Sequence, residues 1–312
     1  MRRFRWTGRG SRAATTSSDV PADRGPEDLA PIPGLLDPEV AGALARDGFA
    51  RLGPFLDGDE IARGNEIFDA ALEQLDRPVG DTWFPTILLP EDDVRAQITS
   101  GLEDLVLPGL WQVFDRSSME LMRLDYSVKP ASPNSALGPH QDFSVIDEEF
   151  FTSLYIWVPL SDSNLTNGTL HVVPGSHRFS NRIRSRHVPA VFDEVLDEVH
   201  ESAIRLDCRA GELIVMVSGV IHFSPPNLSD DLRLAVHGIV KPAAAPLVFF
   251  YADEETPEGR VECYEMDIEK YVRCIHEGRP SGDVEMDRLV PRPPRSMDPE
   301  RFGAGAARFL HA

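Results

Sequence analysis

Residues 138–145 place an imidazole and a carboxylate two positions apart, since their sequence GPHQDFSV contains His140 and Asp142. Alternate side chains of a β-strand share one face, so these two groups can approach the same metal ion. A third ligand is available at His222, which follows the long apolar run GELIVMVSGVI. Two histidines and one carboxylate form the facial triad of non-haem iron(II) sites, whereas zinc favours four-coordinate nitrogen and sulfur ligation.

A basic residue accompanies these three candidate ligands. Arg233 lies 11 residues after His222, at the start of the apolar run LRLAVHGIV. A guanidinium buried in such a strand needs a partner, and a dicarboxylic acid can supply one by accepting two parallel hydrogen bonds. A lone His-x-Asp occurs by chance, and His222 before two prolines could be a surface residue. The combination of His140, Asp142 and His222 with Arg233, however, predicts a pocket that holds a metal ion and a small carboxylic acid.

The segments that must position these residues are short, apolar and separated by turn residues. After residue 118, five segments have the composition of strands: ELMRLDYSV, TSLYIWVPL, GTLHVVPG, GELIVMVSGVI and LRLAVHGIV. Amphipathic patterns predict helices at residues 37–49 and 57–75, and a helical segment at 190–204. Residues 80–118 show no clear period. The pattern predicts a mainly β fold, a barrel or a sandwich, with N-terminal helices.

The ends of the chain differ in composition from its centre. Residues 1–33 are polar and rich in Pro and Gly, which predicts a disordered tail. The Arg- and Ser/Thr-rich start has no apolar core of the kind that a secretory signal needs. We therefore expect a single domain over residues 34–312, with an irregular Pro-rich segment from about residue 280.

Charge and cysteine content exclude several classes of protein. The formal net charge is -20, from 31 basic and 51 acidic residues, so the surface repels phosphate backbones and we expect no nucleic-acid partner. Three widely spaced cysteines without a CxxC pair argue against a disulfide scaffold and fit a cytoplasmic protein. No apolar run approaches the ~20 residues of a membrane helix, so we expect no membrane partner.

The motif NGTLHVVPGSH adds a more specific likeness. With His-x-Asp, the distal His222 and Arg233, it makes the chain resemble the phytanoyl-CoA dioxygenase superfamily of iron(II)- and 2-oxoglutarate-dependent oxygenases. The motif matches the G-x-L-x-x-x-P-G-S-H of that family, and the resemblance runs from about residue 35 to about residue 271. It implies an α+β chain whose β part is a double-stranded β-helix, the cupin-like jelly roll.

The resemblance also implies a set of site residues and a reaction. Fe(II) ligands are implied at His140, Asp142 and His222, and 2-oxoglutarate contacts at Arg233, Ser224 and, beside the co-substrate, Trp157. Fe(II), 2-oxoglutarate and O2 would hydroxylate an unactivated C–H bond of a small-molecule or carrier-bound metabolite, releasing succinate and CO2. Family halogenases replace the carboxylate of His-x-Asp by a small residue, so Asp142 favours hydroxylation.

Other reaction outcomes fit the same residues. The same cofactors support desaturation, cyclisation and epimerisation, which differ in how the substrate is placed. A cupin-like metal isomerase or a binding protein on the same barrel would require neither Arg233 nor the PGSH motif.

Further candidates concern the substrate. His237 shares a strand face with Arg233 and could contact the substrate. We expect His177 to form a hydrogen bond with the turn that it ends. His171 is expected to lie either in the core or in the pocket. Residues 163–192 contain no Asp or Glu, and they form either a solvated loop or a basic rim for an anionic substrate. Four arginines lie in this stretch, of which the first two are our substrate candidates: Arg178, Arg182, Arg184 and Arg186.

Overall fold

A computed structural model describes residues 32, 34–75, 78–178, 182–188, 190, 192–293 and 302 of the chain. The prediction of a disordered tail at residues 1–33 therefore falls almost entirely outside the described residues.

Five α-helices are present in this part of the chain: α1 Pro38–Asp47, α2 Gly58–Leu72, α3 Asp92–Val113, α4 Leu196–Ser202 and α5 Ile268–Glu277. The two predicted N-terminal helices are confirmed. The side chain of Asp37 caps α1 and that of Asp57 caps α2, because each carboxylate accepts hydrogen bonds from the first turn. None of the helices in the described ranges combines the length and hydropathy that a membrane crossing requires.

Helix α3 was not predicted from the sequence. Its buried residues include Val94, Ile98, Leu102 and Leu105, whose spacing of three and four is helical. Pro108 lies inside the helix and obscures this pattern, since proline usually ends a helix. The sequence shows no clear period over residues 80–118, and the structure places this helix within that stretch.

Thirteen strands, all paired antiparallel, are described. They are β1 Phe49–Pro54, β2 Phe84–Pro85, β3 Met119–Lys129, β4 Leu137–His140, β5 Leu154–Pro159, β6 Leu170–Val172, β7 Ile204–Leu206, β8 Glu212–Val217, β9 His222–Ser224, β10 Arg233–Pro242, β11 Val248–Tyr251, β12 Arg260–Glu265 and β13 Arg288–Pro291. Each of the five predicted segments contains a strand. The prediction of an irregular segment from about residue 280 is wrong for β13, which pairs with β12.

The strands form a six-stranded sheet, a four-stranded sheet and a three-stranded sheet. The first has the order β1-β8-β5-β10-β3-β2, the second β4-β9-β6-β7 and the third β11-β12-β13. In β3, Tyr126 faces the helices, since its ring packs on Phe68 of α2 and its hydroxyl donates to the Gly64 carbonyl at 2.5 Å. Arg123 and Ser127 face the opposite side, where a pocket opens. The predicted jelly roll, preceded by helices, is confirmed.

The PGSH motif joins helix α1 to the turn that leads into β9. The Gly175 amide donates to the Asp47 carbonyl at 2.8 Å, and the Ile221 amide donates to the Ser176 hydroxyl at 2.8 Å. His177 is buried, and its Nε2 donates to the Ala45 carbonyl of α1 at 3.3 Å. This histidine thus bonds a helix from another part of the chain, where the sequence suggested a bond to its own turn.

Acid should destabilise the fold partly through His177. Burial, with Arg178 adding to it, lowers the pKa of His177 from 6.5 to about 3. Between these two values the unfolded chain binds a proton that the folded chain excludes, so stability falls as pH falls through 6.5. We expect the free energy of unfolding of His177→Gln, measured in urea, to drop less between pH 7 and pH 5 than that of the wild type. Equal drops would contradict this assignment.

Candidate metal centre

The two candidate histidine ligands lie opposite each other on neighbouring strands. His140 ends β4 and pairs in register with His222, which begins β9. The Nε2 atoms of His140 and His222 lie 4.0 Å and 3.8 Å from the nearer carboxylate oxygens of Asp142. One donor atom from each of the three residues lies within 4.8 Å of the others, so together they can hold a metal ion.

Asp142 reaches this cluster from a loop. The sequence suggested that strand alternation aligns Asp142 with His140, but β4 ends at His140 and Asp142 lies two residues beyond it. His222 likewise begins a short strand of its own, because the apolar run before it divides into β8 and a turn. The two histidines are therefore fixed by the sheet, and the carboxylate depends on the contacts of its loop.

Hydrogen bonds from the other ring nitrogens orient both imidazoles. Nδ1 of His140 donates to the Gly138 carbonyl at 2.9 Å, and Nδ1 of His222 donates to the Val220 carbonyl at 3.0 Å. Each Nε2 lone pair therefore points towards Asp142. Burial lowers the pKa of both histidines to about 4 and raises that of Asp142. Both rings are then neutral near pH 7, as metal ligation requires.

The three residues line a pocket of about 380 Å³, within the range of about 300–1,000 Å³ that is common for small-molecule sites. The other sequence candidates in its wall are Ser224, Arg233, Trp157 and His237. The sequence-predicted metal, co-substrate and His237 candidates thus meet in one cavity.

Arg233 is buried in this wall without an acidic partner among the described residues. Its side chain has 2% exposure, one terminal nitrogen donates to the Gly168 carbonyl, and its Nε has no hydrogen-bond partner. Its guanidinium carbon lies 5.4 Å from the centre of the Trp157 ring. Burial lowers the pKa of Arg233 to about 10, so the side chain remains charged at pH 7. A buried guanidinium with an unused donor can bind an anion such as a carboxylate, so Arg233 is a candidate anion site.

The PGSH-containing motif contacts Arg233 through its first glycine. Gly168 has a φ of 72°, and a Cβ atom there would lie 2.3 Å from the Pro225 carbonyl oxygen. Only glycine fits this position without strain. Its carbonyl is thereby directed at Arg233.

Sequence reasoning missed a second charged cluster, of which Arg123 and His237 line the pocket. The carboxylate of Asp125 lies 2.5 Å from a terminal nitrogen of Arg123 and 2.8 Å from Nδ1 of His237, and the ring of Tyr155 stacks on His237. Burial raises the pKa of Asp125, but Arg123 and His237 lower it by more. The alternation of charged and apolar residues in RLDYS, within β3, could have revealed this cluster.

The arginines of the acid-free stretch occupy different places. Among the described residues that line the pocket are Arg184 and Arg186, whereas Arg178 and Arg182 are not. The guanidinium of Arg178 instead donates to the Ala45 carbonyl at the end of α1. His171 also lies outside the pocket lining, and its ring stacks on Phe223.

Comparison with known proteins identifies the family of the chain. The phytanoyl-CoA dioxygenase (PhyH) family model matches residues 44–235. A phytanoyl-CoA dioxygenase domain-containing protein 1 homolog of Dictyostelium discoideum is 30% identical over 31% of this chain and 37% of its own length. A phytanoyl-CoA dioxygenase of Arabidopsis thaliana is 30% identical over 37% of this chain and 42% of its own. The chain thus spans about two fifths of these curated relatives.

Solved structures share the fold. The carbocyclase SnoK from nogalamycin biosynthesis, described as non-heme and alpha ketoglutarate dependent, has a TM-score of 0.53 at 18% identity, over 68% of this chain and 86% of its own. EctD from S. alaskensis in its apoform has a TM-score of 0.50 at 20% identity, over 72% of this chain and 85% of its own. At these identities the likeness supports the jelly roll and no more.

The cluster can be tested by metal titration. We expect wild-type protein to bind Mn(II) at one site in calorimetry, and Asp142→Ala to lose this site, because two ligands remain. Asp230→Ala removes an exposed carboxylate outside the pocket and should bind as the wild type does. Equal binding by Asp142→Ala and the wild type would contradict a metal centre here.

Proposed function

The chain belongs to the phytanoyl-CoA dioxygenase family, and we propose that it is an Fe(II)- and 2-oxoglutarate-dependent oxygenase that hydroxylates a small molecule. The observation that carries this proposal is the buried guanidinium of Arg233, which has no acidic partner among the described residues and shares a pocket with His140, Asp142 and His222. A dicarboxylate co-substrate can bind the metal at one end and pair with the buried guanidinium of Arg233 at the other.

Charge balance supports this assignment. Arg233 contributes one positive charge to this site and Asp142, as a metal ligand, would contribute one negative charge. A divalent metal and a doubly charged 2-oxoglutarate bring charges that cancel, so the fully loaded site is neutral. Neutrality matters because an isolated charge in a low-dielectric interior costs several kcal/mol or more.

Each residue has a defined task in this proposal. His140, Asp142 and His222 hold the iron, and the Nδ1 hydrogen bonds keep both rings oriented. Arg233, with the hydroxyl of Ser224 in the same wall, binds the distal carboxylate of 2-oxoglutarate. When bound, the iron and 2-oxoglutarate supply the activation of O2 that oxidises a substrate C–H bond and yields succinate and CO2.

The rest of the pocket would receive the substrate. Leu88 and Phe143 are exposed apolar residues of its lining, and Tyr155 and His237 form a polar inner wall. This combination suits a small molecule with an apolar part at the mouth and a hydrogen-bonding group inside.

We further propose that the substrate is anionic, either free or attached to a carrier protein. Among the described lining residues there is one acidic group, Asp142, against four arginines. Three of these have other tasks, since Arg123 pairs with Asp125, Arg184 pairs with Glu148 and Arg233 serves the co-substrate. Arg186 is exposed at the pocket and donates to the Ile275 carbonyl at 3.4 Å.

Hydroxylation is the outcome that we assign, supported by the complete His–Asp–His set. Two structural neighbours are described as a carbocyclase and an epimerase, so this jelly roll also hosts other reactions. Mass spectrometry of the product separates them, because hydroxylation adds one oxygen atom, ring closure or desaturation removes two hydrogen atoms, and epimerisation leaves the mass unchanged.

The role of Arg233 is tested by succinate formation from 2-oxoglutarate in the presence of Fe(II), ascorbate and a panel of small acids. We expect Arg233→Ala to raise the 2-oxoglutarate concentration needed for half-maximal rate. Loss of one partner of a buried charge pair costs about 2–5 kcal/mol, or roughly tens to thousands of fold in affinity.

Arg233→Lys serves as the matched variant, since it keeps the charge but loses the planar fork of the guanidinium. Its 2-oxoglutarate concentration for half-maximal rate should lie between those of the wild type and Arg233→Ala. A 2-oxoglutarate titration that is the same for all three proteins would show that another residue holds the carboxylate. Failure of the wild type to form any succinate would contradict the proposed activity itself.

The charge of the substrate is tested with Arg186→Glu. For an anionic substrate found in the same panel, we expect a higher Michaelis constant that is less sensitive to salt, at nearly unchanged kcat, because the charge acts during capture. Arg182→Glu makes the same charge change four residues away, outside the pocket lining, and should have little effect. A neutral or cationic preferred substrate would contradict this prediction.

A further inference from the structure

The segment 182–184 is joined to the loop that carries Asp142. The Ser144 amide donates to the Arg184 carbonyl at 3.0 Å, and the Arg184 amide donates to the Ser144 hydroxyl at 3.1 Å. The Ser144 hydroxyl in turn donates to the Arg182 carbonyl at 2.8 Å. These bonds hold the two segments together without forming a regular sheet.

The guanidinium of Arg184 makes the most specific contacts in this junction. Its Nε donates to the main-chain carbonyl of Asp142 at 2.7 Å. Its two terminal nitrogens donate to the two carboxylate oxygens of Glu148 at 2.6 Å each. The side chains of both partners are buried, with exposures of 7% and 10%. One planar side chain thus spans the loop from residue 142 to residue 148.

Asp142 needs such support because no strand fixes it. Strand β4 ends at His140, so the backbone of Asp142 lies outside the β-ladder. On the other side of the loop, the Gln141 amide side chain donates to the Gly219 carbonyl at 2.5 Å, three residues before His222. The loop is therefore held from two directions, by Gln141 towards the turn before His222 and by Arg184 towards Glu148.

We propose that Arg184 is a positioning residue for the metal centre, which fixes the main chain of Asp142 so that its carboxylate faces His140 and His222. This inference rests on the proposed function, since it assumes that the cluster holds a metal ion. Groups that orient metal ligands typically change metal affinity by about 10–100-fold when they are removed.

Arginine is required here because of its geometry. The fork binds both oxygens of Glu148 while the remaining Nε–H stays directed at the Asp142 carbonyl. Lysine carries the same charge on a single ammonium group and has no fixed fork for three acceptors. Arg184→Lys should therefore keep the charge and lose most of the positioning, which separates an electrostatic effect from a geometric one.

The experiment measures the dissociation constant of Mn(II) with the full chain, by calorimetry on metal-free protein. We expect Arg184→Gln to weaken Mn(II) binding by about 10–100-fold. The Mn(II) dissociation constant of Arg184→Lys should lie between those of Arg184→Gln and the wild type. Glu148→Gln should have a smaller effect than Arg184→Gln, because the Nε bond to Asp142 remains.

Arg51→Gln is the matched control. It removes another arginine that binds both oxygens of a glutamate, Glu212, at 2.9 Å and 2.7 Å, but on the pair β1–β8. The melting temperature of each metal-free variant is measured in parallel. A purely structural role of Arg184 would lower the melting temperature and leave the Mn(II) affinity of the folded protein unchanged.

The outcomes separate the two proposals. Weaker Mn(II) binding by folded Arg184→Lys and Glu148→Gln, with Arg51→Gln unchanged, supports the inference even if Arg184→Gln fails to fold. Wild-type affinity in the folded Arg184 and Glu148 variants overturns the inference and leaves the proposed function standing. Absence of Mn(II) binding by the wild type overturns both.

Discussion

A buried cation without a carboxylate partner in the described chain is the constraint on which the pocket depends. Arg233 keeps its charge in the interior, and its Nε lacks any hydrogen-bond partner. The desolvation of such a group is only partly offset by the Gly168 carbonyl and the Trp157 ring. The arrangement becomes favourable when an anion completes it. We infer that part of the folding free energy of this protein comes from its co-substrate.

In the jelly roll, Arg233 and the two histidines are carried by different sheets that face the same pocket. The six-stranded sheet carries the proposed anion site, because β10 and β5 present Arg233 and Trp157 to the pocket. The four-stranded sheet carries two of the three proposed metal ligands, since β4 and β9 place His140 opposite His222. Only Asp142 comes from a loop, and buried hydrogen bonds there replace those of a strand.

The sequence predicted those parts of the site that depend on local patterns. Apolar runs located β10, which carries Arg233, and β8, which precedes His222, and residue types suggested the chemistry of both side chains. Helix α3 escaped because Pro108 masked a regular apolar spacing. The bond between Arg184 and Glu148 joins residues 36 positions apart, and no local pattern reveals which arginine of an acid-free stretch is buried. Contacts of this kind follow from tertiary packing alone.

The central claim is that one small dicarboxylate joins the metal to Arg233. A crystal structure of the protein grown anaerobically with Mn(II) and 2-oxoglutarate tests it most directly. We predict Mn(II) bound by His140, Asp142 and His222, with the keto-acid end of 2-oxoglutarate on the metal and its distal carboxylate within hydrogen-bond distance of the Arg233 guanidinium. Mn(II) bound elsewhere, or 2-oxoglutarate that leaves Arg233 without a carboxylate, would contradict the account.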